Sequence, residues 1–112
     1  MRRSADFQQT VRRGARGGRE TLVAHLTTTT DPGPPAVGLV VSKAVGNAVT
    51  RNRVKRRLRA LVAARLGRLP DGALLVVRAQ PAAAGASSVE LGRDLDGAVA
   101  TACRRHTRQL DT

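Results

Sequence analysis

Aromatic side chains are almost missing from this 112-residue chain: Phe7 stands alone, with no Tyr and no Trp. That excludes RNA-recognition motifs, which stack bases on several sheet aromatics. Cysteine is as scarce. A single Cys103 builds no disulfide framework, and it fits the reducing cytoplasm as the expected location. Long apolar runs are lacking too. Residues 37–41 and 73–77 are the longest, far short of a membrane span, so no membrane partner is expected. The N-terminus is basic but has no apolar signal core, so nothing points to secretion. Acids are few, eight Asp and Glu against 20 Lys and Arg, for a net charge of +12. Even lysine is rare: only Lys43 and Lys55, the remaining cations being Arg.

What is present is enough for a fold. Apolar residues make up 41% of the chain, which argues against wholesale disorder. The length suits one domain, residues 1–112, that buries a core without disulfides or zinc. A small, folded, strongly cationic protein has polyanions, and nucleic acid first, as its natural partners.

The charge is localised. Residues 1–19 carry +5, residues 20–42 carry −2, and residues 43–59 carry +7 with no acid among them. Residues 60–103 are balanced, and residues 104–112 add +2. A disordered basic tail would place its charge at a terminus. The main cluster here is internal and reads as a surface built by the fold.

Hydrophobic spacing gives the elements. Ser4 is a candidate N-cap for a short helix, with Phe7 and Val11 one turn apart on its face. Gly14, Gly17 and Gly18 read as its stop and a loop. Residues 21–26 read as a half-buried strand, with Leu22, Ala24 and Leu26 on one face. Pro32, Pro34 and Pro35 make a rigid turn before a strand at 37–42. Residues 48–66 carry Val54, Leu58, Leu61, Val62 and Leu66 on one helical stripe. Asp71-Gly72 turns into a strand at 73–77. Ser87 and Glu90 form a capping box ahead of a helix with Leu91, Leu95, Ala98 and Ala102 on one stripe. The order predicts an α+β fold, a small sheet packed with helices.

On the 48–66 helix, 100° per residue puts Val54, Leu58, Leu61 and Val62 within an arc of about 100° facing the sheet. Asn52, Arg53, Arg56 and Arg59 fall on the opposite arc, flanked by Lys55 and Arg57. Arg51 projects toward the apolar side and, from the first turn, reaches toward the sheet's edge. Arg offers a planar donor fork to phosphate oxygens and stacks on bases. Asn52 donates and accepts, which suits a sugar hydroxyl or base edge. The helix N-terminus beside Asn47 and Ala48 adds backbone donors. A solvated helix face is the ordinary meaning of a charged run, but acids normally interrupt such runs and none does here. A strand rather than a partner helix precedes this one, against a DNA-reading helix-turn-helix, so no DNA partner is expected.

Catalytic machinery is not apparent. His25 and His106 lie far apart in sequence without orienting partners. Asp94 and Asp96 are two apart on a helix and do not share a face. The eight scattered carboxylates form no two-metal constellation. Cys103 in a helix reads as a small buried hydrophobe. Gly14-Ala15-Arg16-Gly17 matches a GxxG loop, a four-residue pattern too short to define a module.

Residues 37–59, VGLVVSKAVGNAVTRNRVKRRLR, resemble the protein component of bacterial ribonuclease P. The carriers are the Arg51-Asn52-Arg53 core, the Gly46-Asn47-Ala48 lead-in, Val54, the basic pair Lys55-Arg56, and Arg59. Ser4-Ala5-Asp6-Phe7 with Val11 resembles the family's first helix, and residues 72–81, GALLVVRAQP, its last strand and exit turn. The resemblance implies an α-β-β-(β)-α-β-α sandwich with a left-handed βαβ crossover, like the second domain of ribosomal protein S5. It implies a protein that binds the catalytic RNA of ribonuclease P and the 5′ leader of precursor tRNA. The RNA with Mg²⁺ would cleave the leader, no cofactor or metal would bind the protein alone, and the protein would supply no catalytic residue. On that pattern Lys43, Asn47, Arg51, Asn52, Arg53, Lys55, Arg56 and Arg59 are the candidate RNA contacts. Phe7, Val11, Ala24, Arg51 and Lys55 are the candidate leader cleft. Val11 and Ala24 stand where relatives often carry aromatics, so weaker stacking and heavier reliance on Arg are expected; a base stacked on an aromatic is worth about 1–3 kcal/mol.

A ribosomal-type RNA-binding protein is the alternative that charge and size allow; co-purification with ribosomal subunits would favour it. An autonomous metal nuclease lacks its carboxylates, and cleavage by RNA-free protein would revive it. Either RNA-binding reading requires affinity that falls steeply with salt, with a log–log slope of up to ~0.9 per neutralised phosphate in duplex regions. Filter-binding titrations across a salt series measure it.

Overall fold

The computed structural model describes residues 14–28 and 33–110. The helix expected around Ser4, Phe7 and Val11 lies outside the described residues. Four strands and two helices follow in the order β1 (Ala15–Gly18), β2 (Leu22–Thr28), β3 (Ala36–Val40), α1 (Ala48–Ala63), β4 (Ala73–Ala79) and α2 (Ser88–Leu110). Short 3-10 turns occupy Lys43–Val45, Leu66–Arg68 and Pro81–Gly85. The sheet order is β1-β2-β4-β3. β2 pairs antiparallel with β1 and with β4, while β3 runs parallel to β4. The parallel pair is joined through α1, as parallel strands require a crossover. The result is the expected α+β architecture on a mixed sheet.

Strand alternation sorts the side chains. Leu22, Ala24 and Leu26 of β2, and Ala73, Leu75, Val77 and Ala79 of β4, face one side. Val54, Leu58 and Val62 of α1 and Leu91, Leu95, Ala98 and Ala102 of α2 join them in one core. The second face carries Arg16, Val23, His25, Leu74, Val76 and Arg78, and of these Val23, His25, Leu74 and Val76 are also buried. β2 is therefore buried on both sides rather than half-buried as expected. Its near-continuous apolar run has that cause.

The largest departure from expectation is β1. Gly17 and Gly18 read as a loop, yet they pair with Ala24 and Val23. The reason lies across the sheet: a Cβ on Gly17 would run into the Ala98 carbonyl oxygen, so glycine lets the strand lie against the α2 backbone. The other bounds shift slightly. β3 ends at Val40, before the turn at Lys43, and β4 continues to Ala79. α1 stops at Ala63 instead of Leu66; the Arg65 guanidinium donates to the Leu61 carbonyl oxygen at 2.9 Å there, satisfying a terminal acceptor.

Both helix starts obey their local chemistry. The Asn47 side chain accepts from the Thr50 N–H at 2.9 Å, an N-cap for α1. Gly46 before it has φ 155°, a conformation that favours glycine. The Gly-Asn lead-in to the Arg-Asn-Arg core thus has a backbone reason. At α2, Glu90 N–H donates to Ser87 Oγ at 3.1 Å and Ser87 N–H to Glu90 Oε1 at 3.3 Å, the predicted capping box.

Gly17→Ala should lower the unfolding free energy by about 1–3 kcal/mol through overpacking. Gly18→Ala, where a Cβ meets nothing within 4 Å, should stay within about 0.5 kcal/mol of wild type. Urea titration of both variants checks the contrast.

Candidate nucleic-acid interface

With Val54, Leu58 and Val62 turned into the core, the helical period drives Asn52, Arg53, Lys55, Arg56 and Arg59 to the outside, and all five are exposed. α1 contains no acid. The ion pairs found among the described residues are Arg65–Asp96 at 2.6 Å and Arg68–Asp96 at 3.3 Å, so none reaches this face. Lys43 is exposed on its turn, which packs against the Pro81–Gly85 turn. The eight predicted RNA contacts therefore cluster on α1 and the turn leading into it.

Two arginines do more than face solvent. Arg53 Nη2 donates to the Ala84 carbonyl oxygen and Arg57 Nη1 to that of Ala86, each at 2.9 Å. Together they clamp the segment after β4 onto α1. Arg53 stays exposed and has further donors in its fork. Arg53, Arg56 and Arg57 line a groove that ends at Ser88, at the start of α2. Asn47 spends its side-chain oxygen on the cap. Arg51 is half-buried as its inward projection predicted, and its Nε is shielded from solvent without a hydrogen-bond partner.

The cleft assignment needs one correction. Ala24 does not line an open surface: it lies opposite Val77 in the core and is 0% exposed. Period-2 alternation decides this, since Ala24 shares its face with Leu22 and Leu26. The neighbour on the second face is His25, which sequence reasoning set aside. It is paired in register with Arg16 on one side and Val76 on the other. Arg78, exposed, is its diagonal neighbour on β4, and Val40 beyond it is 41% exposed. His25 is 3% exposed, and neither ring nitrogen has a hydrogen-bond partner among the described residues. Burial first, then the charges of Arg78 and Arg16, lowers its pKa and keeps it neutral. At that burial the imidazole is a neutral group of the sheet interior rather than an exposed contact. Phe7 and Val11 lie outside the described residues.

Two acids are spent on structure. Asp94 accepts from the Thr21 N–H at 3.1 Å and its hydroxyl at 2.7 Å. The Arg65 hydrogen bond holds the Asp96 carboxyl below the usual carboxylate range. No three or more His, Cys, Asp or Glu gather to hold a metal among the described residues. Cys103 is half-buried against the core, and burial pushes its thiol up.

A four-stranded mixed sheet under two helices, with an arginine face on the crossover helix that no acid among the described residues neutralises, defines a small, strongly basic α+β protein. The Ribonuclease P family profile matches residues 1–103. The ribonuclease P protein component of Kocuria rhizophila is 59% identical over 105 residues, covering 94% of this chain and 92% of that one. That of Beutenbergia cavernae is 56% identical over 99 residues, covering 88% and 83%. Among solved structures, a Staphylococcus aureus RNase P protein mutant with defective mRNA degradation activity superposes with TM-score 0.82 at 24% identity, covering 92% and 86%. The Thermotoga maritima RNase P protein gives 0.74 at 21%, covering 93% and 94%. The chain belongs to the ribonuclease P protein component family, and its role in tRNA 5′ processing follows from that membership.

A lowered His25 pKa means that the unfolded chain takes up a proton before the folded one. This group's contribution to stability is present above the unfolded value of about 6.5 and is lost as pH falls from there toward the folded value. His25→Asn should flatten that slope. Urea titrations at a series of pH values between about 7.5 and 5, spanning the ordinary imidazole range, measure it.

Proposed function

We propose that α1 docks the chain on the catalytic RNA of ribonuclease P, while a cleft that includes Phe7, Val11, Arg51 and Lys55 holds the 5′ leader of precursor tRNA. The observation that carries the first half is the face of Asn52, Arg53, Lys55, Arg56 and Arg59, exposed, free of acids and reached by no ion pair among the described residues. Lys43 and Asn47 extend that contact at the α1 N-terminus, where the helix dipole also favours phosphate. On this reading Arg51 and Lys55 also contribute to the leader cleft. Arg16 and Arg78, both exposed at the margins of the second face, supply charge there, and Phe7 and Val11 are part of the proposed leader contact.

The mechanism is electrostatic. Arginine forks neutralise phosphates on two RNA segments and so let them approach each other. The cleavage chemistry belongs to the RNA subunit, and Mg²⁺ serves the holoenzyme rather than a site on this chain. Such an assembly works in the cytoplasm; no helix among the described residues is long and apolar enough to cross a membrane.

Reconstitution with a cognate catalytic RNA at low Mg²⁺ tests the reading: the protein should rescue leader cleavage, and failure to do so would overturn it. Arg56→Ala should weaken binding to the catalytic RNA about tenfold, the scale of one charged hydrogen bond, with the thermal midpoint unchanged. Arg57→Ala should instead lower stability by about 1 kcal/mol, because its bond to Ala86 is intramolecular. Phe7→Ala should reduce affinity for leader-bearing tRNA more than for mature tRNA.

A further inference from the structure

The two arginine clamps on the segment after β4 are not equivalent. Ala84, which accepts from Arg53, is half-buried, and Arg53 itself is exposed. Water can replace either partner of that bond, so Arg53 is free to exchange Ala84 for a phosphate. Ala86, which accepts from Arg57, is 4% exposed, and Arg57 is half-buried. The Ala86 carbonyl stands one residue ahead of Ser87, whose own carbonyl takes the Leu91 N–H at 2.9 Å as α2 begins. The helix ladder therefore has no donor for Ala86, and the Arg57 guanidinium supplies one. A buried carbonyl stripped of its donor is strongly unfavourable. Without Arg57, the easiest relief is for the segment to lift until water reaches Ala86.

That segment has little else to hold it. Residues 81–86 are one proline, four alanines and a glycine, and of these only Ala83 and Ala86 are buried. Methyl groups bury little apolar surface, so a polar tether matters more here than under the helices. The segment in turn supports the basic side of the molecule. The Pro81–Gly85 turn packs against α1 and against the Lys43–Val45 turn. Val45, Ala83 and Ala86 share one core. Lys43 is thereby set beside the start of α1, with Gly46 and the Asn47 cap directly after its turn. The contacts form a circuit, from Arg57 to Ala86, to the Lys43 turn, and back to the helix that carries Arg57. An RNA backbone presents its phosphates at fixed spacings. A support that lets Lys43 drift by about 1 Å from the α1 cations leaves the surface present but loose.

We propose that Arg57 is a positioning residue of the RNA surface: it touches no phosphate, and through the Ala86 carbonyl it holds the segment that keeps Lys43 in register with Arg53, Arg56 and Arg59. The inference rests on the reading of α1 as the RNA-docking face, and it gives one cation of that helix a task other than docking.

The test is binding of the full chain to a cognate catalytic RNA across a salt series, at a temperature where circular dichroism shows each variant folded. Arg57→Ala should weaken binding about fivefold at every salt concentration, the scale of one lost hydrogen bond, with the log–log slope unchanged. Arg56→Ala, a direct contact, should lower that slope by about 0.7–0.9. Arg57→citrulline, introduced by semisynthesis, removes the charge and keeps an N–H donor of the same reach. It should bind within about twofold of wild type, less than one lost hydrogen bond. Lys43→Ala should cost less affinity in the Arg57→Ala background than alone, because residues that act through one support are not additive. A slope lowered as much as by Arg56→Ala, with no rescue by citrulline, would make Arg57 a phosphate contact and overturn the proposal. Unchanged affinity in folded Arg57→Ala, or an equal cost of Lys43→Ala in both backgrounds, overturns it as well. Should Arg57→Ala not fold, the citrulline variant decides: wild-type affinity and slope support the proposal, and a reduced slope sinks it. If Arg56→Ala and Lys43→Ala change neither affinity nor slope, the docking reading falls. If they behave as expected and Arg57→Ala does not, only the positioning role falls.

Discussion

Val54, Leu58 and Val62 set the rotation of α1 about its own axis, and the rest of the functional surface depends on that setting. Each is buried against the sheet, and burying such a side chain is worth about 1.5–3 kcal/mol. Against this stands the repulsion among Arg53, Arg56, Arg57, Lys55 and Arg59, which costs a few tenths of a kcal/mol per neighbouring pair. The aliphatic stripe wins by a wide margin. It holds the cations on the outside in a row that cannot relax by rolling the helix.

The clamp by Arg53 and Arg57 adds a second constraint. By donating to the Ala84 and Ala86 carbonyls, these side chains tie α1 to the segment that leads into α2. The capping box at Ser87 then starts α2 immediately beyond. The basic helix is thus coupled to the helix that covers β1 and β2. At the far end of the pair, Arg65 and Arg68 meet Asp96. Asp94 and Asp96 join elements and Glu90 caps α2, and among the described residues no acid pairs with the exposed cations of α1.

The sheet contributes two faces of different character. One is aliphatic and sealed by both helices. The other combines buried Val23, Leu74 and Val76 with His25, Arg16 and Arg78. His25 is closed off from solvent there, so the accessible chemistry of that face is the charge of Arg16 and Arg78 at its margins.

Much of this was legible in the sequence. Helical period alone placed the inner stripe and outer arginines of α1, because 3.6 residues per turn leaves no freedom once the apolar positions are known. The Ser87–Glu90 box and the Gly46-Asn47 lead-in were readable because capping is local chemistry. The Ala24 error was avoidable, since strand alternation already paired it with Leu22 and Leu26. What the tertiary structure alone decided involves contacts distant along the chain. Gly17 belongs to a strand because the α2 backbone at Ala98 leaves no room for a Cβ. Arg53 and Arg57 are clamps because a turn about thirty residues on presents carbonyls to them. Arg105 reaches the Arg16 carbonyl across 89 positions, which ties the C-terminal turns of α2 to β1. Local rules act through neighbouring residues; these placements follow from which backbone the fold brings within reach.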